Sequence, residues 1–188
     1  MKKFVLFIRG GGEGAYEADA LLAESLQAEL GSEYEVRYPR MPLDDDAGYL
    51  AWKAEIITEL TKLKEDVILV AHSVGGSILL KFLSEEQVVV SITGLFLIAV
   101  PYFGGDENWN FEELTLSADF HKKIASIPRM FLYHSRDDDT VPFAHLALYA
   151  AKFPRAVVRE YDECGHQFWN DLADVARDIK KEDVLPKR

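Results

Sequence analysis

From Asp66 to Leu80 the chain reads Asp-Val-Ile-Leu-Val-Ala-His-Ser-Val-Gly-Gly-Ser-Ile-Leu-Leu, and this stretch restricts the fold more than any other. Val67 to Val70 form an unbroken apolar run of the kind buried on both faces of a parallel sheet. An amphipathic run through Leu79, Leu80, Phe82 and Leu83 begins just past Gly75 and Gly76. A strand passing at once into a helix predicts a sharp turn at Ser73. Such a turn pushes the hydroxyl clear of the sheet edge, beside the unpaired N–H groups of a helix N-terminus. That is where an activated nucleophile would sit; the plainer alternative is an N-cap serine. The usual signature of such an elbow is Gly-x-Ser-x-Gly, because strand and helix backbones approach closely. Here the residues are Ala71-His72-Ser73-Val74-Gly75, and alanine is expected to fit with slightly more crowding.

The rest of the chain alternates in the same way. Strands are expected at Phe4 to Ile8, Tyr34 to Tyr38, Ile92 to Val100, Arg129 to His134 and Ala156 to Tyr161. Helices are expected at Ala15 to Leu30 (closed by Gly31), Ala47 to Lys64, from the elbow to Glu86, Ala118 to Ser126, Pro142 to Lys152 and Phe168 to Lys180. In the second helix Leu50, Ile56, Ile57, Leu60 and Leu63 are placed on one face, and Asp44 to Asp46 supply its cap. The pattern predicts an α/β fold over residues 1–188 as one domain: a six-stranded, mainly parallel sheet with helices on both faces, minimal or no lid, and a frayed tail at 181–188.

Charge removes several function classes. With 21 basic against 32 acidic residues the chain carries −11, a surface that repels phosphate backbones and anionic headgroups, so nucleic acid and membrane partners are not expected. A single cysteine, Cys164, excludes an intramolecular disulfide and fits a reducing compartment. The apolar run Phe4 to Ile8 stops at Arg9, too short for a signal peptide or a membrane span. It reads as a buried strand, and the expected location is cytoplasmic.

In a parallel α/β sheet, chemistry gathers beyond the carboxyl ends of the strands. Ser73 follows the third strand, Ser135-Arg-Asp-Asp-Asp-Thr-Val-Pro142 follows the fifth, and Asp162-Glu-Cys-Gly-His166 follows the sixth. Serine, acid and histidine thus come in the chain order expected of a hydrolase on this architecture. His166 is the candidate base and acid, since imidazole exchanges protons near neutral pH. An aspartate on its other ring nitrogen would fix the tautomer. Asp138 is the choice for it, with Asp137 and Asp139 as rivals and Asp139 the one expected to be solvated or to cap the following helix.

At these residues the chain resembles the small, nearly lidless serine hydrolases of the α/β-hydrolase fold, the family of retinoblastoma-binding protein 9 and its bacterial relatives. The resemblance covers nearly the whole length. It rests on the elbow around Ser73, on Ser135-x-Asp137-Asp138-x-x-Val141-Pro142-Phe143 and on Cys164-Gly165-His166. It implies that the second aspartate of the pair, four before the proline, carries the acid role, which favours Asp138. Ala71 departs from the glycine usual in that family.

An oxyanion hole needs two backbone donors. Val74 N–H, next after the serine, is one candidate, and Gly11 in the Gly10-Gly11-Gly12 loop is the other. The same loop fits a rival pattern, because Gly10-x-Gly12-x-x-Ala15 matches a dinucleotide fingerprint and Arg37 or Arg40 could take a ribose phosphate. Glu13 would, however, place a carboxylate where pyrophosphate should sit. A degenerate hydrolase serving as a binding module is a third reading. No cofactor or metal is expected, since Asp137 to Asp139 with His166 match no metal motif. Tyr102, Phe103 and Trp109, with Phe111 and Phe120, could line a pocket in the Pro101 to Ile127 connection. The expected activity is a carboxylesterase acting on small or short-chain acyl esters through an acyl-enzyme. The partner is then a small acyl substrate; the sequence names no protein partner. His72 is expected to support the elbow, Cys164 to be a buried thiol, and Trp52 and Trp169 to be core.

Overall fold

Successive side chains of a strand point to opposite faces of a sheet, so a strand apolar at every position needs cover on both sides. The computed structural model, which describes residues 2–42, 48–63 and 65–181, provides it. The elements run β1 (Lys3–Ile8), α1 (Ala15–Leu30), β2 (Tyr34–Arg37), α2 (Tyr49–Thr61), β3 (Val67–His72), α3 (Val74–Glu85), β4 (Ile92–Ile98), α4 (Phe120–Lys123), β5 (Met130–Ser135), α5 (Ala144–Lys152), β6 (Val157–Tyr161) and α6 (Ala173–Lys181). The six strands form one sheet in the order β2-β1-β3-β4-β5-β6, and every pairing is parallel.

Leu6, Ile8, Leu69 and Ala71 meet Trp52 and Ile56 of α2, Leu79 and Phe82 of α3, and Tyr149 of α5 on one face. Val5, Phe7, Ile68 and Val70 meet Leu22 and Leu26 of α1 and Val175 and Ile179 of α6 on the other. Each large aliphatic side chain buried in this way contributes about 1.5–3 kcal/mol relative to exposure. This two-sided burial is why β3 can be apolar throughout.

Because β2 and β3 flank β1, the chain leaves β1 toward α1 on one face and leaves β3 toward α3 on the other. The two connections diverge and open a crevice beyond the carboxyl ends of β1 and β3. The register keeps strand ends level: Ile8 pairs with Ala71, His72 with Ile98, Ile98 with Tyr133, and Ser135 with Tyr161. The loops that follow these strands therefore share one edge.

Several expected boundaries differ. In α2, Leu50 is 72% and Ile57 41% exposed; the large rings of Tyr49 and Trp52 with Ile56 and Leu60 take the buried face instead. The helix begins at Tyr49 after Gly48, and the expected cap Asp44 to Asp46 lies outside the described residues. The helix expected over Ala118 to Ser126 is the single turn α4. The last helix starts at Ala173 rather than Phe168, because Phe168, Trp169 and Asn170 form a tight turn with φ of 49°, 50° and 56°. That left-handed turn throws Trp169 outward, 72% exposed, where a core position was expected. Of the expected tail, residues 182–188 lie outside the described residues. No described helix is long and apolar enough to cross a membrane.

Candidate active site

Ser73 sits between β3 and α3 with φ 51° and ψ −135°, a conformation that costs a non-glycine residue about 1–3 kcal/mol. Its surroundings enforce it. Ser73 N–H donates to Ile98 O (2.9 Å), and Gly76 N–H donates to Ser73 O (2.9 Å). A Cβ on Gly75 would lie 2.0 Å from the Arg9 carbonyl oxygen, and one on Gly76 2.3 Å from Val100 Cγ2, so neither position admits a side chain. Ala71, by contrast, is an ordinary buried strand residue in register with Ile8 and Leu97. The close backbone approach falls at Gly75, and Ala71 replaces the usual glycine without obstructing the turn.

From Ser73 a hydrogen-bonded path runs across the sheet edge. Ser73 Oγ lies 3.1 Å from His166 Nε2, and His166 Nδ1 lies 2.9 Å from Asp138 Oδ2. With its carboxylate partner an acceptor only, His166 carries its proton on Nδ1 and leaves Nε2 free to accept the serine O–H. Asp138 is fixed on both oxygens: Oδ1 accepts Thr140 N–H (2.9 Å) and Val141 N–H (2.8 Å), and Oδ2 also lies 3.1 Å from His134 Nε2. Burial pushes the Asp138 carboxyl up, but hydrogen bonds from His134 and His166, the electrostatic attraction of His166 and the Val141 N–H outweigh it. The group is held well below the usual carboxylate range.

The rivals to Asp138 have other partners. Asp137 Oδ1 accepts Gly165 N–H (2.8 Å), Cys164 N–H (3.1 Å) and the Ser135 hydroxyl, which fastens the turn carrying His166 to the end of β5. Asp139 is exposed and accepts from Thr140 Oγ1. The Cys164 thiol is pushed up by burial and by Asp137, Asp174 and Asp171, which suits a protonated thiol rather than a nucleophile.

Gly10 and Gly11 pack against the elbow. A Cβ on Gly10 would stand 3.2 Å from Ser73 Cβ, and one on Gly11 3.5 Å from Val74 Cβ. The loop that formally fits a dinucleotide fingerprint is thus pressed onto Ser73 and Val74. Gly10 N–H is committed to Asp19 Oδ2 at 2.7 Å. Among the described residues no group of three or more His, Cys, Asp or Glu side chains is arranged to hold a metal ion.

The serine hydrolase family profile matches residues 23–170, well over half of the chain. The chain belongs to the serine hydrolase family. No curated protein sequence matches it, but solved structures share the fold. The ydeN gene product of B. subtilis superposes with a TM-score of 0.78 at 20% identity, over 98% of this chain and 100% of that one. The meta-cleavage product hydrolase CumD of Pseudomonas fluorescens gives 0.69 at 16% identity over 96% and 91%. Est1E from Butyrivibrio proteoclasticus gives 0.67 at 14% over 97% and 87%. The α/β-hydrolase fold expected from the sequence is the fold observed.

In this serine hydrolase the Pro101 to Ile127 connection has no helix longer than α4, and His145 of α5 pins it. Tyr102 N–H donates to His145 Nδ1 (2.9 Å), and His145 Nε2 meets Asp106 Oδ2 (2.8 Å). Phe103 is only 3% exposed and packs edge-on to Trp109 and Phe111; Tyr102 leans on Tyr149 and Phe120. Sequence reasoning missed Asp19, His134, His145 and Gln167. For Asp19 a signal existed: it falls on the same helical stripe as Leu22, Ala23, Leu26 and Leu30, and a carboxylate on a core-facing stripe needs a buried partner.

Proposed function

We propose that this serine hydrolase is a carboxylesterase for small or short-chain acyl esters, with Ser73 as nucleophile, His166 as general base and acid, and Asp138 as the residue that orients it. The observation that carries this reading is the unbroken path from Ser73 Oγ through both nitrogens of His166 to a buried, ionised Asp138. Ser73 Oγ attacks the ester carbonyl carbon while His166 Nε2 takes the hydroxyl proton. The N–H groups of Gly11 and Val74 are assigned to the oxyanion, Gly10 being engaged with Asp19. Collapse of the tetrahedral intermediate breaks the bond to the alcohol oxygen, which leaves with the proton from His166. Water then repeats the sequence on the acyl-enzyme and releases the carboxylic acid.

The short connection after β4 favours substrates that need little enclosure. Trp109 and Tyr102 are assigned to the acyl side of the site, with Phe103 behind them. The test is intact-mass analysis after exposure to a fluorophosphonate, for wild type, Ser73→Ala and His166→Ala. A single adduct on wild type alone is expected. A folded wild type that takes no adduct would remove the enzymatic reading and leave a hydrolase fold used for binding. In a p-nitrophenyl ester series, Trp109→Ala is expected to change the chain-length preference; an unchanged profile takes Trp109 out of the pocket.

A further inference from the structure

Beside the Ser73–His166–Asp138 path lies a second Asp–His pair that never reaches the reacting atoms. Asp19, on the buried stripe of α1, is fully buried, and so is His72, the residue before the nucleophile. A buried carboxylate is costly unless hydrogen bonds compensate it. Asp19 has three donors: Gly10 N–H at 2.7 Å, His72 Nδ1 at 2.9 Å and Gln167 Nε2 at 3.2 Å. Burial pushes the Asp19 carboxyl up, but the charge and hydrogen bond of His72 and the Gly10 and Gln167 donors hold it below its ordinary value.

Those donors come from three separate segments. Gly10 belongs to the loop assigned to the oxyanion, His72 adjoins Ser73, and Gln167 adjoins His166. His72 extends the connection, because its Nε2 lies 3.1 Å from the backbone carbonyl of His166, with the two rings 4.7 Å apart. An ionised carboxylate and a carbonyl are both acceptors, so each ring nitrogen of His72 faces one acceptor. One buried carboxylate, directly and through one imidazole, therefore ties together all three loops that supply the proposed nucleophile, base and oxyanion donor.

We infer that Asp19 and His72 are positioning residues, which hold the His166 backbone and the Gly10–Gly11 loop in register with Ser73 from inside the protein. The inference rests on the hydrolase reading for its consequence in turnover. Misplacing a reacting group by about 1 Å costs on the order of 10²-fold in rate, whereas substrate binding depends on other surfaces.

Two substitutions of one residue separate positioning from simple packing. His72→Asn keeps a donor where Nδ1 faces Asp19 and loses the one to the His166 carbonyl; His72→Gln reaches the carbonyl and gives up Asp19. Measured on p-nitrophenyl acetate, His72→Asn is expected to lower kcat by about 10–100-fold with KM changed less than about twofold. His72→Gln is expected to recover most of kcat although both variants melt at similar temperatures. Amide hydrogen exchange in Cys164 to Phe168 should quicken at least ~10-fold in His72→Asn and stay near wild type in His72→Gln. Asp19→Asn, which puts an N–H₂ group among three donors, should quicken exchange in Gly10 to Gly12 as well. Equal losses in the two His72 variants, or unchanged exchange in folded His72→Asn, overturns the inference. A wild type that takes no fluorophosphonate adduct overturns the hydrolase reading instead, and the exchange comparison still decides the positioning role.

Discussion

Replacing Asp138 with asparagine tests the proposed mechanism at its most constrained atom. The two backbone N–H groups of Thr140 and Val141 point at Oδ1, so the amide oxygen of an asparagine must take that place. Its N–H₂ group is then forced into the Oδ2 position, facing His166 Nδ1 and His134 Nε2. A donor opposite Nδ1 reverses the His166 tautomer. The proton moves to Nε2, which lies 3.1 Å from Ser73 Oγ, and no lone pair remains to take the serine proton. Loss of the correct tautomer in a Ser-His-Asp triad costs on the order of 10⁴ in kcat, or about 5.4 kcal/mol of barrier at ~1.36 kcal/mol per decade. Stopped-flow release of p-nitrophenol would read both the acylation burst and steady-state kcat for Asp138→Asn, with Asp137→Asn as the comparison. The substitution at 137 loosens the Cys164–Gly165 turn but leaves the tautomer intact, so a smaller loss is expected there. A drop below tenfold in Asp138→Asn, or a larger one in Asp137→Asn, refutes the assignment of the acid.

Three further outcomes are expected. Asp138 and Asp19 are both held below the ordinary carboxylate range in the folded protein, so their stabilising contribution is full above about pH 4 and fades as pH falls below it. Urea titrations at pH 7 and pH 3 should therefore show a larger acid loss in wild type than in the Asp19→Asn, Asp138→Asn double variant; equal losses would contradict this. Ser73→Gly should be more stable than Ser73→Ala by about 1 kcal/mol in chemical denaturation, because glycine accepts φ 51° without strain. Gly75→Ala places a methyl 2.0 Å from the Arg9 carbonyl oxygen, and is expected to cost about 3 kcal/mol or more and to abolish fluorophosphonate labelling; a labelled, stable variant would show that the turn has slack.

The alternation of strands and helices and the residues of the hydrogen-bonded path were legible because each rests on short-range pattern. Two-sided burial leaves an apolar run such as Val67 to Val70, and in a parallel sheet chain order puts Ser73, Asp138 and His166 after the third, fifth and sixth strands at one edge. The choice of Asp138 over Asp137 and Asp139 drew support from the resemblance, since adjacent loop carboxylates differ only in where the backbone aims them. Leu50 and Ile57 were misplaced because helical periodicity does not say which of two overlapping apolar faces wins, and the rings of Tyr49 and Trp52 decided it. Trp169 was misplaced because consecutive left-handed residues have no sequence signature outside glycine and asparagine. Asp19 was readable as a misfit on an apolar stripe, but its side-chain partners His72 and Gln167 are more than fifty residues away in sequence and only the fold brings them near.

The position of β6 in the sheet order has a bearing on how the protein fails. Ser73 stands at the end of a central strand clamped by neighbours on both sides, while the loop with His166 hangs from an edge strand paired only with β5. Val157 and Val158 there are 37% and 36% exposed, and the Arg159–Asp178 and Tyr161–Asp174 contacts tie that margin to α6. Edge segments with few buried contacts open at lower free energy than the centre. The proposed nucleophile and base thus belong to parts of unequal durability, and a warming sample is expected to lose its chemistry at the rim while most of its secondary structure is still in place.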